Sequence, residues 1–313
     1  MKLRLFDAHC DTAYELWRRG EVLYDNTCHI DLKKASAFSA YAQIFAFCSY
    51  AGQLEQAGFH TCREALTLPL ETLKRELRAN ADRIGLARSA EELERLHADG
   101  KVAALLSVEG AELIDCNPER LPGLREEGFC MSTLTWNADN ALAGCRGSER
   151  GLSEQGRSYV HAAQALRLLI DVSHLGDRAF WELVSCTHAP ILASHSNCRA
   201  LCGSVRNLTD DQMTAIAETG GVVGLNLYAP FLGGKADLDR VLAHLERMLR
   251  LCGERHVCFG GDLDGCDSLA DGFTDLRSYC VLYDHLSAHG YSEKLLDRLF
   301  FDNLLQLLKR EVL

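Results

Sequence analysis

The sequence of 313 residues predicts an α/β fold, a (β/α)8 or TIM barrel that forms one domain over residues 1–313. Eight short apolar runs recur along the chain, and segments with helical periodicity lie between them. Runs that are apolar nearly throughout are typical of parallel strands buried on both faces. An open, doubly wound sheet is the alternative, but no GxGxxG motif follows the first run. The alternation of eight strand signals with helices therefore favours a barrel.

The predicted strands are the apolar runs themselves. In chain order they are LRLF (3–6), YAQIFAF (41–47), VAALLSV (102–108), FCMSTLTW (129–136), LLIDVS (168–173), PILAS (190–194), GVVGLNL (221–227) and VCFGG (257–261). The first interval, roughly residues 7–40, is long. We expect it to form an irregular loop with a short helix over the barrel mouth.

The predicted helices carry apolar residues three or four positions apart. They are LETLKRELRANADRIGLA (70–87), GRSYVHAAQALRL (156–168), NLTDDQMTAIAETGG (207–221), DLDRVLAHLERMLRLCG (237–253), DLRSYCVLYDHLSAHG (275–290) and SEKLLDRLFFDNLLQLLKREVL (292–313). Thr209 as N-cap and Gln212 three residues later predict a capping box, and Gly220 is the expected stop.

Charge and composition exclude several classes of partner. The net charge is −11, and no Lys/Arg cluster with interleaved aromatic residues occurs, so we expect neither nucleic acid nor an acidic membrane surface as a partner. No run of about 18 apolar residues predicts a membrane span. We expect no basic-then-apolar leader at the start of the chain, because Asp7, His9 and Asp11 interrupt the apolar stretch.

Cysteine usage predicts a cytoplasmic protein. The 14 cysteines are scattered, no CxxC pair occurs, and many fall inside apolar runs. We interpret them as small buried residues in a reducing compartment rather than as a disulfide framework.

Six metal-capable residues follow five of the predicted strands. They are His9 and Asp11 after the first strand, Glu109 after the third, His174 after the fifth, His195 after the sixth and Asp262 after the eighth. The C-terminal ends of barrel strands converge on one face, where active sites are built. Each residue alone has an ordinary structural explanation, but their shared placement predicts one metal site.

The size of this set favours two metal ions. Three histidines, two aspartates and a glutamate exceed the roughly four ligands of one tetrahedral zinc ion. The surplus predicts two cations bridged by one carboxylate and one hydroxide. Mixed imidazole and carboxylate ligands suit zinc best, and manganese, cobalt and iron stay open.

The motifs around these residues resemble a known family. DAHCDT, SVEGAE, DVSHLG, ASHSN and GGDLDG occur in the same order as the motifs of the membrane dipeptidase (renal dipeptidase) family, peptidase family M19, within the amidohydrolase superfamily. The resemblance runs from residue 6 to about residue 305, and the chain looks like the shorter bacterial cytosolic members. It implies a zinc-dependent dipeptidase that cleaves L-Xaa-L/D-Xaa dipeptides through a metal-bridging hydroxide. Related barrels often pair, so a homodimer is an open expectation.

The resemblance also implies roles for the matching residues. His9 and Asp11 would hold the first zinc ion, and His174 and His195 the second. Glu109 would bridge both ions. In the proposed reaction Asp262 would take the proton of the attacking water and deliver it to the leaving amine.

Further positions match the family's substrate site. Arg206, in SVRNLTDDQ, would bind the free carboxylate of the dipeptide, although from the sequence a surface salt bridge with Asp210 or Asp211 is the alternative. Tyr228, in GLNLYAPF, would line the pocket. One departure concerns the histidine that the mammalian enzymes carry after the fourth strand, thought to polarise the scissile carbonyl. Trp136 stands there, so that Asn137, Asn140 or the second zinc ion would have to serve.

Two rival functions stay open from the sequence. One is another binuclear-metal hydrolase on the same scaffold, acting on a cyclic amide or a phosphoester, with Arg146 and Arg150 as extra cations for phosphate. The other is a catalytically weak binding protein, which the Trp136 departure alone supports.

Overall fold

The computed structural model describes residues 3–312, and within them the chain forms nine β-strands. They are β1 (Arg4–Cys10), β2 (Ala40–Cys48), β3 (Ile84–Leu86), β4 (Val102–Glu109), β5 (Phe129–Thr133), β6 (Leu169–Asp171), β7 (Ile191–Leu192), β8 (Val223–Leu225) and β9 (Val257–Phe259). Each of the eight predicted runs overlaps one of these strands, in the predicted order.

The strands pair in parallel in the order β7-β6-β5-β4-β2-β1-β9-β8. A parallel bridge between Ala193, just after β7, and Val223, in β8, joins the two ends of this series. The eight strands therefore close into a ring, and the predicted (β/α)8 barrel is confirmed.

The short strand β3 lies outside the ring, and here the sequence prediction was wrong. The leucine periodicity of residues 70–87 predicted one helix, but the helix ends at Ala79. Residues Ile84–Leu86 instead pair in register with the first residues of β4. Tertiary pairing overrides the periodicity there, because the open edge of β4 offers backbone hydrogen bonds to this segment.

Thirteen α-helices lie between and around the strands within the described residues. They are α1 (Thr12–Arg19), α2 (Leu32–Ala35), α3 (Cys62–Ala79), α4 (Ala90–Ala98), α5 (Leu121–Glu127), α6 (Glu154–Ala165), α7 (Asp177–Val184), α8 (Asp210–Glu218), α9 (Ala229–Leu232), α10 (Leu238–Cys252), α11 (Ser278–Ala288), α12 (Glu293–Asp297) and α13 (Asn303–Glu311). Two corrections follow. The first interval holds two short helices, α1 and α2, rather than one. The predicted helix 292–313 is divided by a π-helical turn at Arg298–Asp302, and Leu313 lies outside the described residues.

The capping box of α8 is present as predicted. The Gln212 backbone N–H donates to the Thr209 hydroxyl at 3.2 Å, and the Thr209 backbone N–H donates to Gln212 Oε1 at 2.9 Å. Two backbone donors at the start of the helix are thereby satisfied, which fixes where the helix after β7 begins.

Two glycines let the backbone after β7 come close to β8 and β9. A Cβ atom at Gly224 would lie 2.0 Å from the Ser194 carbonyl oxygen, and one at Gly260 would lie 1.8 Å from the same oxygen. Neither distance is compatible with a side chain. The two positions are therefore restricted to glycine by close backbone approach, beside the segment that carries His195.

The structure also gives the bonding state of the cysteines and the length and polarity of the helices. All 14 cysteines are free, and none of them is bonded to another in the part of the chain that the structure describes. Within residues 3–312, no helix is both long enough and apolar enough to cross a bilayer.

We predict that Gly260→Ala destabilises the protein by about 1–3 kcal/mol or more, because the new methyl group would overlap the Ser194 carbonyl oxygen. Urea unfolding followed by circular dichroism measures the effect. Gly123→Ala is the matched control. Gly123 lies in α5, and a Cβ atom there would have no neighbour within 4 Å. We expect it to be neutral or to stabilise the helix by up to about 1 kcal/mol. Equal stability of the Gly260→Ala variant and the unmodified protein would contradict this account of the barrel wall.

Candidate active site

Ten of the residues singled out from the sequence form a group at the C-terminal mouth of the barrel. Nine of them line one cavity of about 430 Å³: Asp11, Glu109, Trp136, Asn137, His174, His195, Arg206, Tyr228 and Asp262. The tenth, His9, lies in the wall against Glu109. Strand ends position them. His9 is the penultimate residue of β1, and Glu109 ends β4. Seven of the others follow the end of a strand by no more than four residues, whereas Arg206 lies in the longer segment between β7 and α8.

His9 and three carboxylates form the first half of the cluster. His9 Nε2 lies 3.4 Å from Asp11 Oδ2, 3.6 Å from Glu109 Oε2 and 3.8 Å from Asp262 Oδ1. Neither ring nitrogen of His9 has a hydrogen-bond partner, although both are buried. Burial of an unpartnered imidazole among carboxylates is costly, so this arrangement fits a cation at their centre.

Two more imidazoles meet the other oxygen of Glu109. His174 Nε2 lies 2.9 Å and His195 Nε2 lies 3.5 Å from Glu109 Oε1. The two Nε2 atoms are 3.2 Å apart. Glu109 thus presents one oxygen to each half of the cluster, which is the arrangement that a bridging carboxylate requires.

Hydrogen bonds fix the tautomer of His174. Arg146 Nε donates to Asn137 Oδ1 at 2.8 Å, and since a guanidinium can only donate, this amide atom is the oxygen. His174 Nδ1 lies 3.0 Å from the same oxygen and must donate to it. The proton of neutral His174 is therefore on Nδ1, and Nε2 directs a lone pair at Glu109 and His195.

A second chain of hydrogen bonds fixes His195. The Ser194 hydroxyl donates its proton to Asp171 Oδ2 at 2.5 Å, so it accepts from His195 Nδ1 at 2.7 Å. His195 Nε2 then also carries a lone pair. Two imidazole lone pairs and an oxygen of Glu109 face one another, and a metal ion would satisfy all three.

The pKa shifts reflect the same crowding. Burial, with help from nearby Arg206, holds the pKa of His174 and of His195 well below the usual range, so both stay neutral. Burial raises the pKa of Glu109 and of Asp262, which disfavours their charged forms. For His9, burial lowers the pKa, but the three carboxylates outweigh it and raise the pKa above its usual value. Cations would compensate the carboxylates, which without metal draw protons into the cluster.

The backbone is strained at two of these residues. His174 has φ 69° and Asp262 has φ 60°, in the left-handed region that residues other than glycine seldom occupy. Such conformations cost roughly 1–3 kcal/mol each and cluster at functional sites. Here they turn both side chains into the cavity directly after their strands.

Sequence reasoning missed the buried acids that support the ligands. Asp7 accepts hydrogen bonds from the backbone N–H groups of His9, at 2.9 Å, and Gly261, at 3.0 Å. Asp171 accepts from the backbone N–H of Ser194 at 2.9 Å, in addition to the hydroxyl. The available signal was a carboxylate inside or beside an otherwise apolar strand, as in LRLFD and LLIDV.

Arg206 is buried, with 3% of its surface exposed, and most of its donors are unused. Nη1 donates to the Ser196 hydroxyl at 3.0 Å, whereas Nε and Nη2 have no partner. The surface salt bridge considered from the sequence is wrong for Asp210, which pairs with Arg247 instead. Burial lowers the pKa of Arg206 to about 10, so it remains a cation at neutral pH.

Trp136 and Tyr228 line the cavity, whereas Asn140 is not among its lining residues. The Trp136 ring lies 6.3 Å from that of His174. Tyr228 lines the cavity, and its backbone N–H donates to Asn226 Oδ1 at 2.7 Å. Asn140, suggested as a donor, instead holds a turn, because its Nδ2 donates to the Leu134 carbonyl oxygen at 2.7 Å.

Two arginines named from the sequence differ in placement. Arg146 lines the cavity, whereas Arg150 lies outside it and donates to the Asn140 carbonyl oxygen. Tyr50, which the sequence did not single out, also lines the cavity and has φ 48°.

We predict that Ser194→Ala weakens metal binding about 10–100-fold, because the acceptor for the His195 Nδ1 proton is lost. Competition against a chelator of known affinity measures this. Ser132→Ala is the matched control. Ser132 is also fully buried, but its hydroxyl bonds to Tyr159 rather than to a ligand. Both variants should lose stability, and only Ser194→Ala should lose metal affinity. Equal metal affinities in the two variants would show that this hydrogen bond does not orient His195.

Comparisons with known proteins agree with this geometry. The sequence profile of the membrane dipeptidase family, peptidase family M19, matches residues 1–312. An uncharacterized protein from the pqqA 5′ region of Klebsiella pneumoniae is 35% identical over 254 residues, which are 77% of this chain and 93% of the relative.

Two solved structures share the fold over nearly their whole length. A metallopeptidase from Rhodobacter sphaeroides, bound to a phosphinate mimic of the dipeptide L-Ala-D-Ala, is 29% identical with a TM-score of 0.91, covering 99% of this chain and 100% of the other. A metallopeptidase of family M19 described as dipeptidase AC is 30% identical with a TM-score of 0.90, covering 100% and 99%. The chain therefore belongs to the membrane dipeptidase family, peptidase family M19, and is a metal-dependent dipeptidase of that family.

Proposed function

We propose that this enzyme uses two zinc ions per chain to hydrolyse L-Xaa-L/D-Xaa dipeptides. The observation that carries the proposal is the presence of Arg206, buried and with free donors, in the same cavity as the imidazole and carboxylate cluster. The dipeptide mimic bound by the Rhodobacter sphaeroides enzyme supports an L,D-dipeptide as one substrate type.

His9 and Asp11 would hold one zinc ion, His174 and His195 the other, and Glu109 would bridge them. The residues fit this role because His9 Nε2 is buried without a hydrogen-bond partner. The Nε2 atoms of His174 and His195 face each other at 3.2 Å. Bound zinc would supply an activated water and polarise the scissile carbonyl.

Asp262 is proposed to carry the proton between the attacking water and the leaving amine. Its Oδ2 accepts a hydrogen bond from Asn226 Nδ2 at 3.0 Å, which fixes the carboxylate. Its Oδ1 faces the cluster, 3.8 Å from His9 Nε2. One oxygen is therefore anchored and the other is directed at the reaction centre.

Arg206 is proposed to bind the terminal carboxylate of the dipeptide. Ser196 occupies only Nη1, so Nε and Nη2 remain available for a two-pronged hydrogen bond with a carboxylate. A buried guanidinium without a counterion is costly, and the substrate carboxylate would supply the missing partner. Recognition of a free carboxylate this near the metal cluster limits the substrate to very short peptides.

Asn137, Trp136 and Tyr228 are proposed to shape the substrate site. The amide oxygen of Asn137 accepts hydrogen bonds from His174 and Arg146, so Asn137 would contact the scissile carbonyl through its Nδ2 donor. Trp136 and Tyr228 form walls of the cavity. Zinc would then polarise the carbonyl without a histidine at position 136.

We also propose a cytoplasmic location and one domain over residues 1–313. Fourteen free cysteines support the first, since they persist in a reducing compartment. One closed sheet that contains both early and late strands supports the second. A homodimer stays a prediction.

We expect about two zinc ions per chain by metal analysis, and loss of dipeptide hydrolysis after chelation that zinc restores. A phosphate ester and a cyclic amide serve as control substrates under the same conditions. Metal-restored cleavage of either control substrate, without cleavage of dipeptides, would contradict the proposal and favour the rival hydrolase.

We predict that Arg206→Met lowers kcat/KM for an unmodified dipeptide by about 30-fold or more, because a buried charge pair worth roughly 2–5 kcal/mol is lost. A dipeptide with a C-terminal amide is the matched substrate control. The unmodified enzyme should prefer the acid over the amide, and the variant should lose that preference. If Arg206→Met keeps it, Arg206 does not bind the carboxylate.

A further inference from the structure

A second group of metal-capable side chains lies on the outer helices. Asp239, in the first turn of α10, faces His285 of α11 and His289, which caps the C-terminus of α11. One ligand atom from each of the three lies within 4.8 Å of the others. We propose that Asp239, His285 and His289 form a separate zinc site that is independent of the active site.

The spacing of the histidines supports this site. His285 and His289, in the sequence HLSAH, are four residues apart, so both project from one face of the helix end. Their ring centroids are 4.3 Å apart. Two imidazoles and one carboxylate, with water in the fourth position, match the ligand set of a tetrahedral zinc ion.

The tautomer of His289 suits a ligand. Its Nδ1 lies 2.8 Å from the His285 carbonyl oxygen and therefore donates to it. Nε2 of neutral His289 is left with a lone pair. A backbone carbonyl on the other ring nitrogen is the usual support of a metal-binding histidine.

The state of His285 is the second, independent observation. Its Nε2 is buried and lies 3.3 Å from Asp239 Oδ1, yet it has no hydrogen-bond partner. Among residues 3–312, only His9 and His285 bury a ring nitrogen without such a partner. His9 belongs to the metal cluster of the active site. A simple ion pair between His285 and Asp239 is the alternative, but it leaves the adjacent His289 without a role.

Metal analysis of the full-length enzyme tests the proposal. Samples are stripped with chelator, dialysed against buffered free zinc, and counted by mass spectrometry. We expect His289→Ala and Asp239→Asn each to bind about one zinc fewer per chain than the unmodified protein, with unchanged dipeptide hydrolysis. Both side chains are largely exposed, and circular dichroism checks folding.

His188→Ala is the matched control. His188 is an exposed histidine whose ring stacks on His161 at 5.8 Å, and no carboxylate completes a cluster with this pair in the described part of the chain. It should bind as much zinc as the unmodified protein. The proposal is overturned if His289→Ala binds as much zinc as the unmodified protein, if Asp239→Asn keeps the extra ion, or if His188→Ala loses one too. Because the readout is a difference in stoichiometry, it holds whether or not the active site contains two zinc ions.

Discussion

The structure depends on one electrostatic constraint, the burial of carboxylates and imidazoles in direct contact at one end of a barrel. Glu109 places one oxygen against His9 and the other against His174 and His195. Without cations, the three carboxylates around His9 lie in a low-dielectric interior, where an unpaired charge costs several kcal/mol and can be neutralised only by taking up protons. Bound metal ions would remove this cost, with the same side chains as their ligands. The arrangement therefore favours the binding of metal ions at this cluster.

The surrounding protein holds the side chains of this cluster in one orientation. Asn137 and Ser194 set the protonation of the two outer imidazoles, and Asp7 anchors the backbone at His9. Close approach of the segment around Ser194 is possible only because glycines face its carbonyl oxygen. Left-handed φ values at His174 and Asp262 show that local backbone stability is given up to aim the side chains. These two residues thus adopt less stable backbone conformations so that their side chains point into the cavity, and the rigid barrel holds them in place.

The cavity combines this cluster with a cation that has no counterion of its own. Arg206 is buried beside the imidazoles and holds two donors free. A dipeptide brings a carboxylate to one end of the site and a peptide bond to the other, so one small molecule can satisfy both features. The same physical signature, a buried imidazole nitrogen without a hydrogen bond, recurs at His285 on the protein surface.

The sequence by itself determined the class of fold, the order of the eight barrel strands and the identity of the ligand-type residues, because burial on both faces and position after a strand are local properties of the chain. It could not determine that residues 84–86 leave the helical pattern, since only the open edge of β4 decides that. It did not single out Asp7 or Asp171, whose partners are distant along the chain. Whether Arg206 forms a salt bridge or stays unpaired also depends on the tertiary structure, because Arg247 forms an ion pair with Asp210 when α8 and α10 pack together. Hydrogen bonds and burial between remote segments are properties of the folded structure, and they decide which polar residues are free to bind a ligand.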